Sequence, residues 1–253
     1  MTDARMIYIG IDDTDTLDTR GTNQLARRLA ASLPAGFEFV LALRHQLLFD
    51  PRIPYTSKNG CASLLVRSER DRRASELLPI LRREMRSWYV PGSDPGLCVA
   101  ELVPEEIIAF GKRCQQEPVR QTEARALAAE HDVYLEGFGG TEGGVIGALA
   151  GVGLLAHGDD GRVVHMSGWE WPDPFCGWQP IERVRERGVD EVREKSSNVV
   201  ITSGMIDIGK HLRPSYRGGR VVLFVEDATQ TAVPSDPEAE RPRTQRWRAM
   251  KLP

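Results

Sequence analysis

The chain of 253 residues is 41% hydrophobic and 27% charged, enough apolar material for a sizeable core and enough polar surface to stay in solution. With 33 basic and 36 acidic residues it carries a net charge of -3, which excludes a global field that would draw in nucleic acid and leaves any such binding to a local patch. No apolar run approaches the roughly 20 residues needed to span a bilayer, and Met1-Thr2-Asp3-Ala4-Arg5 leads into no signal-type hydrophobic region, so a cytoplasmic protein is expected. In chain order, Ile7-Tyr8-Ile9-Gly10-Ile11 is a β-rich apolar run that ends on Asp12-Asp13-Thr14-Asp15, and Asn23 to Leu33 places Leu25, Leu29 and Leu33 at helical spacing. Glu38 to Leu43 and Cys61 to Val66 read as further strands. Arg70 to Trp88 reads as a charged amphipathic helix despite Pro79, and Pro91-Gly92-Ser93-Asp94-Pro95-Gly96 as an irregular loop. Helices are expected over Pro104 to Arg113 and Thr122 to Glu130. The glycine-rich stretch from Gly137 to Gly153 suits a tight loop opening a helix that packs closely on a neighbour. Val199 to Thr202 and Arg220 to Val225 are the later strand candidates, and the chain after Asp227 is rich in proline and charge. The expected class is α+β or α/β, a mixed β-sheet with flanking helices.

Four cysteines, Cys61, Cys98, Cys114 and Cys176, are widely separated, with no CxxC pair to preposition two thiolates; reduced, mostly buried thiols are expected. The acidic cluster points elsewhere. Three carboxylates at the end of a strand repel one another, a cost that a cation relieves, and magnesium takes a few carboxylate oxygens together with waters and phosphate oxygens. Asp12, Asp13 and Asp15 are therefore the candidate metal ligands, against the alternative of an acidic turn capping the next helix.

Other phosphate chemistries compete. Asp13-Thr14-Asp15 resembles the first motif of haloacid-dehalogenase phosphatases, with Leu17 in place of their usual Thr or Val. Asp159-Asp160 would be their later acidic pair, although Gly158-Asp159-Asp160-Gly161 reads as a hairpin-like turn. Gly204 to Lys210 has P-loop spacing, but His211 replaces the required hydroxyl and Pro214 stops the helix that the motif needs. Between Trp169 and Trp178 an aromatic segment either stacks on a base or ring substrate, with Glu170 and Asp173 receiving a cation, or packs over the core. At the C-terminus Arg241, Arg243, Arg246, Arg248 and Lys251 surround Trp247, a basic patch for phosphates and a stacked base, or else a solvated tail.

Four blocks together resemble the kinase-like catalytic region of the TiaS family, archaeal enzymes that attach agmatine to the wobble cytidine of an isoleucine tRNA. They are Ile9-Gly10-Ile11-Asp12-Asp13-Thr14-Asp15 followed by Gly21-Thr22, then Ile53-Pro54-Tyr55-Thr56-Ser57-Lys58-Asn59-Gly60, then Ser93-Asp94-Pro95-Gly96, and Gly143-Gly144-Val145-Ile146-Gly147-Ala148 with the apolar run that follows. The resemblance implies that Asp12, Asp13 and Asp15 hold Mg²⁺ on the phosphates of ATP, that Gly21, Lys58, Asn59, Gly60, Gly143, Gly144 and Gly147 border the nucleotide, and that Thr22 takes the phosphoryl group. Gly21 stands where the family has a cysteine, and a helix N-cap is the alternative role for Thr22. The family's OB domain and zinc ribbon have no counterpart in this sequence. The expected organisation is thus an ATP-binding catalytic domain over 1–165, an α/β extension packed on it over 166–228, and a flexible basic tail over 229–253. The implied function is a stand-alone, Mg²⁺-dependent ATP-using enzyme of kinase or ligase type that activates an acceptor oxygen. The acceptor is RNA, a nucleotide or a small metabolite, with an amine as a second substrate. RNA binding is expected to be weak and carried by the basic tail. A haloacid-dehalogenase-like phosphatase and a non-catalytic ATP- or RNA-binding module are the alternatives.

Overall fold

The computed structural model describes residues 4–16, 19, 21–53, 59–228 and 245–252. They form two compact units, Met1–Ser167 and Gly168–Pro253.

The first unit is built on strands β1 (Arg5–Asp12), β2 (Phe37–Arg44), β3 (Ala62–Ser68), β4 (Gly96–Ala100), β5 (Tyr134–Gly137) and β6 (Arg162–Met166). Its helices are α1 (Thr22–Ala31), α2 (Leu78–Trp88), α3 (Glu105–Cys114), α4 (Gln121–Glu130) and α5 (Val145–His157). The sheet runs β5-β4-β1-β3-β2-β6, and each neighbouring pair is antiparallel. β1 is central, with both edges paired and helices on both faces, so strand alternation sends its side chains to two different cores. Ile7, Ile9 and Ile11 point to one face, where they meet Leu25 and Leu29 of α1 and Leu81 and Met85 of α2. Tyr8 packs on the other face with Ala148, Leu149 and Val152 of α5 and Ile107 and Phe110 of α3.

The glycines of β1 and α5 set how closely these layers approach. A Cβ at Gly10 would stand 1.9 Å from the carbonyl oxygen of Ala148, and one at Gly153 would stand 2.2 Å from that of Ile107. α5 therefore lies with its backbone against β1 on one side and α3 on the other, which accounts for a helix buried nearly all round, from Val145 to Leu155. Gly10→Ala is expected to push α5 off the sheet and to cost about 1–3 kcal/mol, the usual range for an overpacked core. Urea unfolding of the variant, with the midpoint lowered and the slope unchanged, checks this.

The second unit contains β7 (Trp178–Pro180), α6 (Ile181–Glu186), β8 (Glu191–Glu194), β9 (Met205–Asp207), β10 (Ser215–Arg217), β11 (Arg220–Asp227) and β12 (Arg246–Ala249). β11 pairs in parallel with β8, and antiparallel with β10 through its first residues and with β12 through its last. β12 pairs in parallel with β9, which pairs antiparallel with β7. The β10–β11 hairpin turns on Gly218 and Gly219, both at positive φ (57° and 72°), as a two-residue turn matched to strand twist requires. Antiparallel and parallel pairs together make the class α+β with mixed sheet and flanking helices, the parallel pairs all lying in this second unit.

Several local expectations are corrected. The helix over Arg70 to Trp88 begins only at Leu78, after a 3-10 turn at Ala74–Glu76, because Pro79 is accepted in the first turn and not further in. Gly96 does not close the loop before it but opens β4, a strand buried on both faces. Val199 to Thr202 is no strand; Val200 makes one isolated bridge to Arg193. Gly158 to Gly161 is no hairpin turn: Gly158, at φ 76°, caps α5 and the chain then enters β6. The last residues are not a free tail over Arg246–Ala249, where β12 is paired on both sides and Trp247 is buried, so this indole does not stack on a base. Arg241 and Arg243 lie outside the described residues. No helix among the described residues is long and apolar enough to cross a membrane.

Candidate functional site

β1 delivers its acidic end onto the face covered by α5. Asp12 is the last residue of the strand, and Asp13 follows at φ 50°, a left-handed turn that Asp and Asn tolerate better than other side chains. Beyond it Thr14 is buried, and its hydroxyl donates to Thr22 Oγ1 at 3.1 Å, which in turn donates to Asp15 Oδ1 at 3.2 Å. Thr22 is the first residue of α1 and Gly21 the N-cap, without a side-chain cap bond. The N-cap role weighed for Thr22 is thus not the one it has; its hydroxyl belongs to the acidic loop.

The glycine-rich entry to α5 closes on the same place. A Cβ at Gly147 would lie 1.8 Å from Asp12 Oδ2, and one at Gly144 would lie 2.3 Å from the Asp94 carbonyl oxygen. Asp94 locks the loop before the helix: its Oδ1 accepts the Thr141 amide at 2.8 Å, its Oδ2 accepts the Thr141 hydroxyl, and its carbonyl accepts the Gly144 amide at 2.9 Å. Only glycine at 147 leaves room for the Asp12 carboxylate. Gly147→Ala is therefore expected to displace Asp12 and to overpack the entry of α5, at a cost of about 1–3 kcal/mol; a lowered urea midpoint is the check.

These elements enclose one cleft of about 410 Å³. Asp12, Asp13, Asp15, Gly21, Thr22, Asn59, Gly60, Gly143, Gly144 and Gly147 all line it, whereas Lys58 lies outside the described residues. Asn59 is largely committed to its own loop: its Nδ2 donates to Leu48 O at 2.7 Å, and its carbonyl accepts the Leu47 amide at 2.9 Å. The opening amides of α5 are engaged as well, Gly144 with Asp94, Val145 with Glu142 and Ile146 with Gly143. What the glycines supply is principally room and the positive end of the helix.

Sequence reasoning missed the basic side of this cleft. Arg44, ending β2, and Arg162, opening β6, are direct cross-strand partners and both line the cleft. Their only signal was position: each is a charged residue bounding an apolar strand. Asp94 was present in a recognised block but received no role. Leu47, Val119 and Ile146 give one part of the wall an apolar character.

Burial, then the charge of Asp13, pushes the Asp12 carboxyl well above the usual carboxylate range, with the Arg44 guanidinium opposing. Burial followed by the charges of Asp94 and Asp15 raises Asp13 to about 6. Asp15 is raised by burial, against the hydrogen bonds that Thr22 gives it. All three shifts are led by burial, which disfavours the charged carboxylate. Among the described residues no group of three or more His, Cys, Asp or Glu is arranged to hold an ion by itself. Burial pushes the Cys114 thiol up to about 12 and Cys61 well above its ordinary value, which makes both poor thiolate ligands.

The competing motifs do not assemble. Asp160 accepts from Gln115 Nε2 at 3.0 Å and lies 2.6 Å from His45 Nδ1, whose Nε2 is 2.7 Å from Ser63 Oγ, and it does not line the cleft. As a second acidic pair closing on Asp13, the phosphatase arrangement is absent for Asp160. His45 and Ser63 are fully buried, so this serine, histidine and aspartate are a structural bond network. Gly204 to His211 forms β9 and a turn, not a loop opening a helix. In the aromatic segment Asp173 is taken by Arg187 at 2.7 Å, whose guanidinium also lies over Trp169 and Phe175. Trp169 donates to the Arg187 carbonyl at 2.9 Å, whereas Trp171 and Trp178 are exposed.

No protein-family model and no curated protein sequence matches the chain. Solved structures do match. A complex of TiaS with an isoleucine tRNA and ATP is 22% identical with a TM-score of 0.51, over 59% of this chain and 36% of that one. A tRNA fluorescent labeling enzyme is 23% identical with a TM-score of 0.50, over 58% and 36%. The likeness is one of fold, and this chain spans little more than a third of the length of those proteins.

Proposed function

We propose that the chain is a Mg²⁺-dependent, ATP-using enzyme that activates an acceptor oxygen by phosphoryl transfer. One observation carries the reading: the acidic end of β1 with the nearby Thr22 hydroxyl, and the glycine-rich entry of α5 far along the chain, meet in one cleft that also holds two arginines. The solved structures of similar fold include one with ATP, which supports the choice of nucleotide.

The side chains fit magnesium. Hard carboxylate oxygens in excess of local positive charge attract a cation, and magnesium binds through one or two carboxylates together with waters and substrate phosphates. One or two of Asp12, Asp13 and Asp15 would hold it, with waters and phosphate oxygens completing its shell. Magnesium supplies charge neutralisation on the nucleotide phosphates when it is bound. Arg44 and Arg162, which line the same cleft, supply fixed positive charge for phosphate oxygens, and the end of α5 adds its dipole. Leu47, Val119 and Ile146 offer an apolar surface for a base. Thr22 Oγ1, already bonded to Asp15 Oδ1, presents its hydroxyl with a proton acceptor in place: as the oxygen bonds to phosphorus, the bond from that phosphorus to the bridging oxygen breaks, the remaining nucleotide leaves with the bridging oxygen's electron pair, and the hydroxyl proton passes to Asp15.

The acceptor beyond Thr22 is RNA, a nucleotide or a small metabolite, followed by attack of an amine on the activated carbon if the reaction is a ligation. Nucleotide products formed from ATP, with and without Mg²⁺ and with a crude RNA or metabolite pool, test the proposal. ADP, or AMP with pyrophosphate, formed only with Mg²⁺ supports it. Unchanged ATP under all these conditions, with ATP nonetheless bound, would support a non-catalytic ATP-binding module.

A further inference from the structure

The second unit carries a surface that the cleft does not use. The register of β7, β9 and β12 sets Trp178, Asp207 and Arg248 in one row and Pro180, Met205 and Arg246 in the next but one. The row between them, Gln179, Ile206 and Trp247, turns the other way, and Ile206 and Trp247 are buried. Strand alternation therefore puts Trp178, Arg246 and Arg248 on one outward face, with Asp207 and Met205 between them. Trp178 is 41% exposed, with the Arg246 guanidinium 5.8 Å from its ring centre. Arg248 faces Glu226 at 3.9 Å.

The unit has a second exposed indole, Trp171. Gly177 donates to Gly209 O at 2.8 Å and Ile208 to Gly177 O at 2.9 Å, which ties the loop of Trp171 to the loop of His211 next to Trp178. Trp171, 55% exposed, lies 5.6 Å from the His211 ring. Exposed Lys210 and Arg213 flank His211. In the half-buried part of the aromatic segment Arg187 contacts Trp169, Phe175 and Asp173.

We propose that Trp171 and Trp178, with Arg246 and the cations beside them, form a platform for single-stranded nucleic acid. Large exposed indoles cost solvation unless they stack, and every base has a face for them irrespective of sequence. The partner's charge is given by the cation set directly over Trp178: a stacked base brings a phosphate that this guanidinium reaches, which a neutral glycan or an apolar protein segment would not supply. Stacking also selects single strands, because the bases of a duplex are already stacked on each other.

The test uses the full chain without ATP, so that its outcome is independent of the cleft. Labelled 12-nucleotide RNA and DNA single strands and the matching duplexes are titrated at several salt concentrations while tryptophan emission is followed. Single strands of either sugar should bind more tightly than duplex and quench the emission. Trp171→Ala and Trp178→Ala should each weaken binding by about tenfold. The Trp→Phe variants, which keep a ring, should retain most of the affinity, and Arg246→Ala should flatten the salt dependence. Absence of single-strand binding, equal affinity for duplex, or affinity unchanged in the Trp171→Ala/Trp178→Ala double variant with an unaltered far-ultraviolet spectrum would overturn the proposal.

Discussion

Asp13→Asn is expected to remove Mg²⁺-dependent ATP binding while leaving the fold at least as stable as before. Asparagine accepts the left-handed turn at φ 50° as readily as aspartate does, so no backbone strain is introduced. It also removes one of several crowded carboxylates whose charge is held back by burial and by Asp94 and Asp15. The magnesium-free protein should show this in its pH dependence. The folded chain holds the Asp13 proton up to about 6, whereas the ordinary value is 3.8. This group therefore favours the folded state fully below pH 3.8, and the contribution is lost as pH rises through about 6. Asp13→Asn should flatten that segment of the stability curve, raise or preserve the melting temperature near neutrality, and lower turnover by about 10²- to 10³-fold, the scale for removing one electrostatic contact at a reacting phosphate. Melting temperature measured with and without Mg-ATP reads both effects, since the ligand-induced rise should disappear in the variant. An unchanged rise would detach Asp13 from the metal.

Thr22→Val is expected to separate binding from chemistry. Valine conserves the shape of threonine and removes the hydroxyl that links Thr14 to Asp15. The loss of these partly buried bonds should cost about 1 kcal/mol of stability. ATP affinity should be kept, because no nucleotide-bordering backbone moves, while phosphoryl transfer should fall to background. Thr22→Ser, which restores a hydroxyl at the same position, should recover a substantial part of the rate. A correctly folded Thr22→Val protein with full turnover would remove the acceptor role and send the phosphoryl group directly to substrate.

Much of this arrangement was legible in the residues, and the reasons are local. Ile7 to Ile11 is a short β-rich apolar run that ends on acids, and the glycines around Val145 announce close packing before any partner is known. The acid triplet was legible for the same reason: its charges are consecutive. Arg44 and Arg162 were not, since they are brought opposite each other only by pairing of β2 with β6, a contact between residues more than a hundred positions apart. β4 was missed because its five residues are apolar on both faces and follow directly on a proline- and glycine-rich loop. β12 was hidden by composition. Its arginines read as a solvated tail, yet Trp247 between them is buried against the second unit's own strands, and a single aromatic residue outweighed the surrounding charge.

The central claim is that the cleft between the acidic end of β1 and the start of α5 binds ATP through magnesium. Calorimetric titration of ATP into the full chain, with Mg²⁺ present and with Mg²⁺ chelated, tests it most directly. The account predicts one site per chain with Mg²⁺ and affinity reduced by at least about tenfold without it, the carboxylates then opposing the phosphates instead of sharing a cation with them. Equal affinity in the two titrations, or no heat of binding in either, would contradict it.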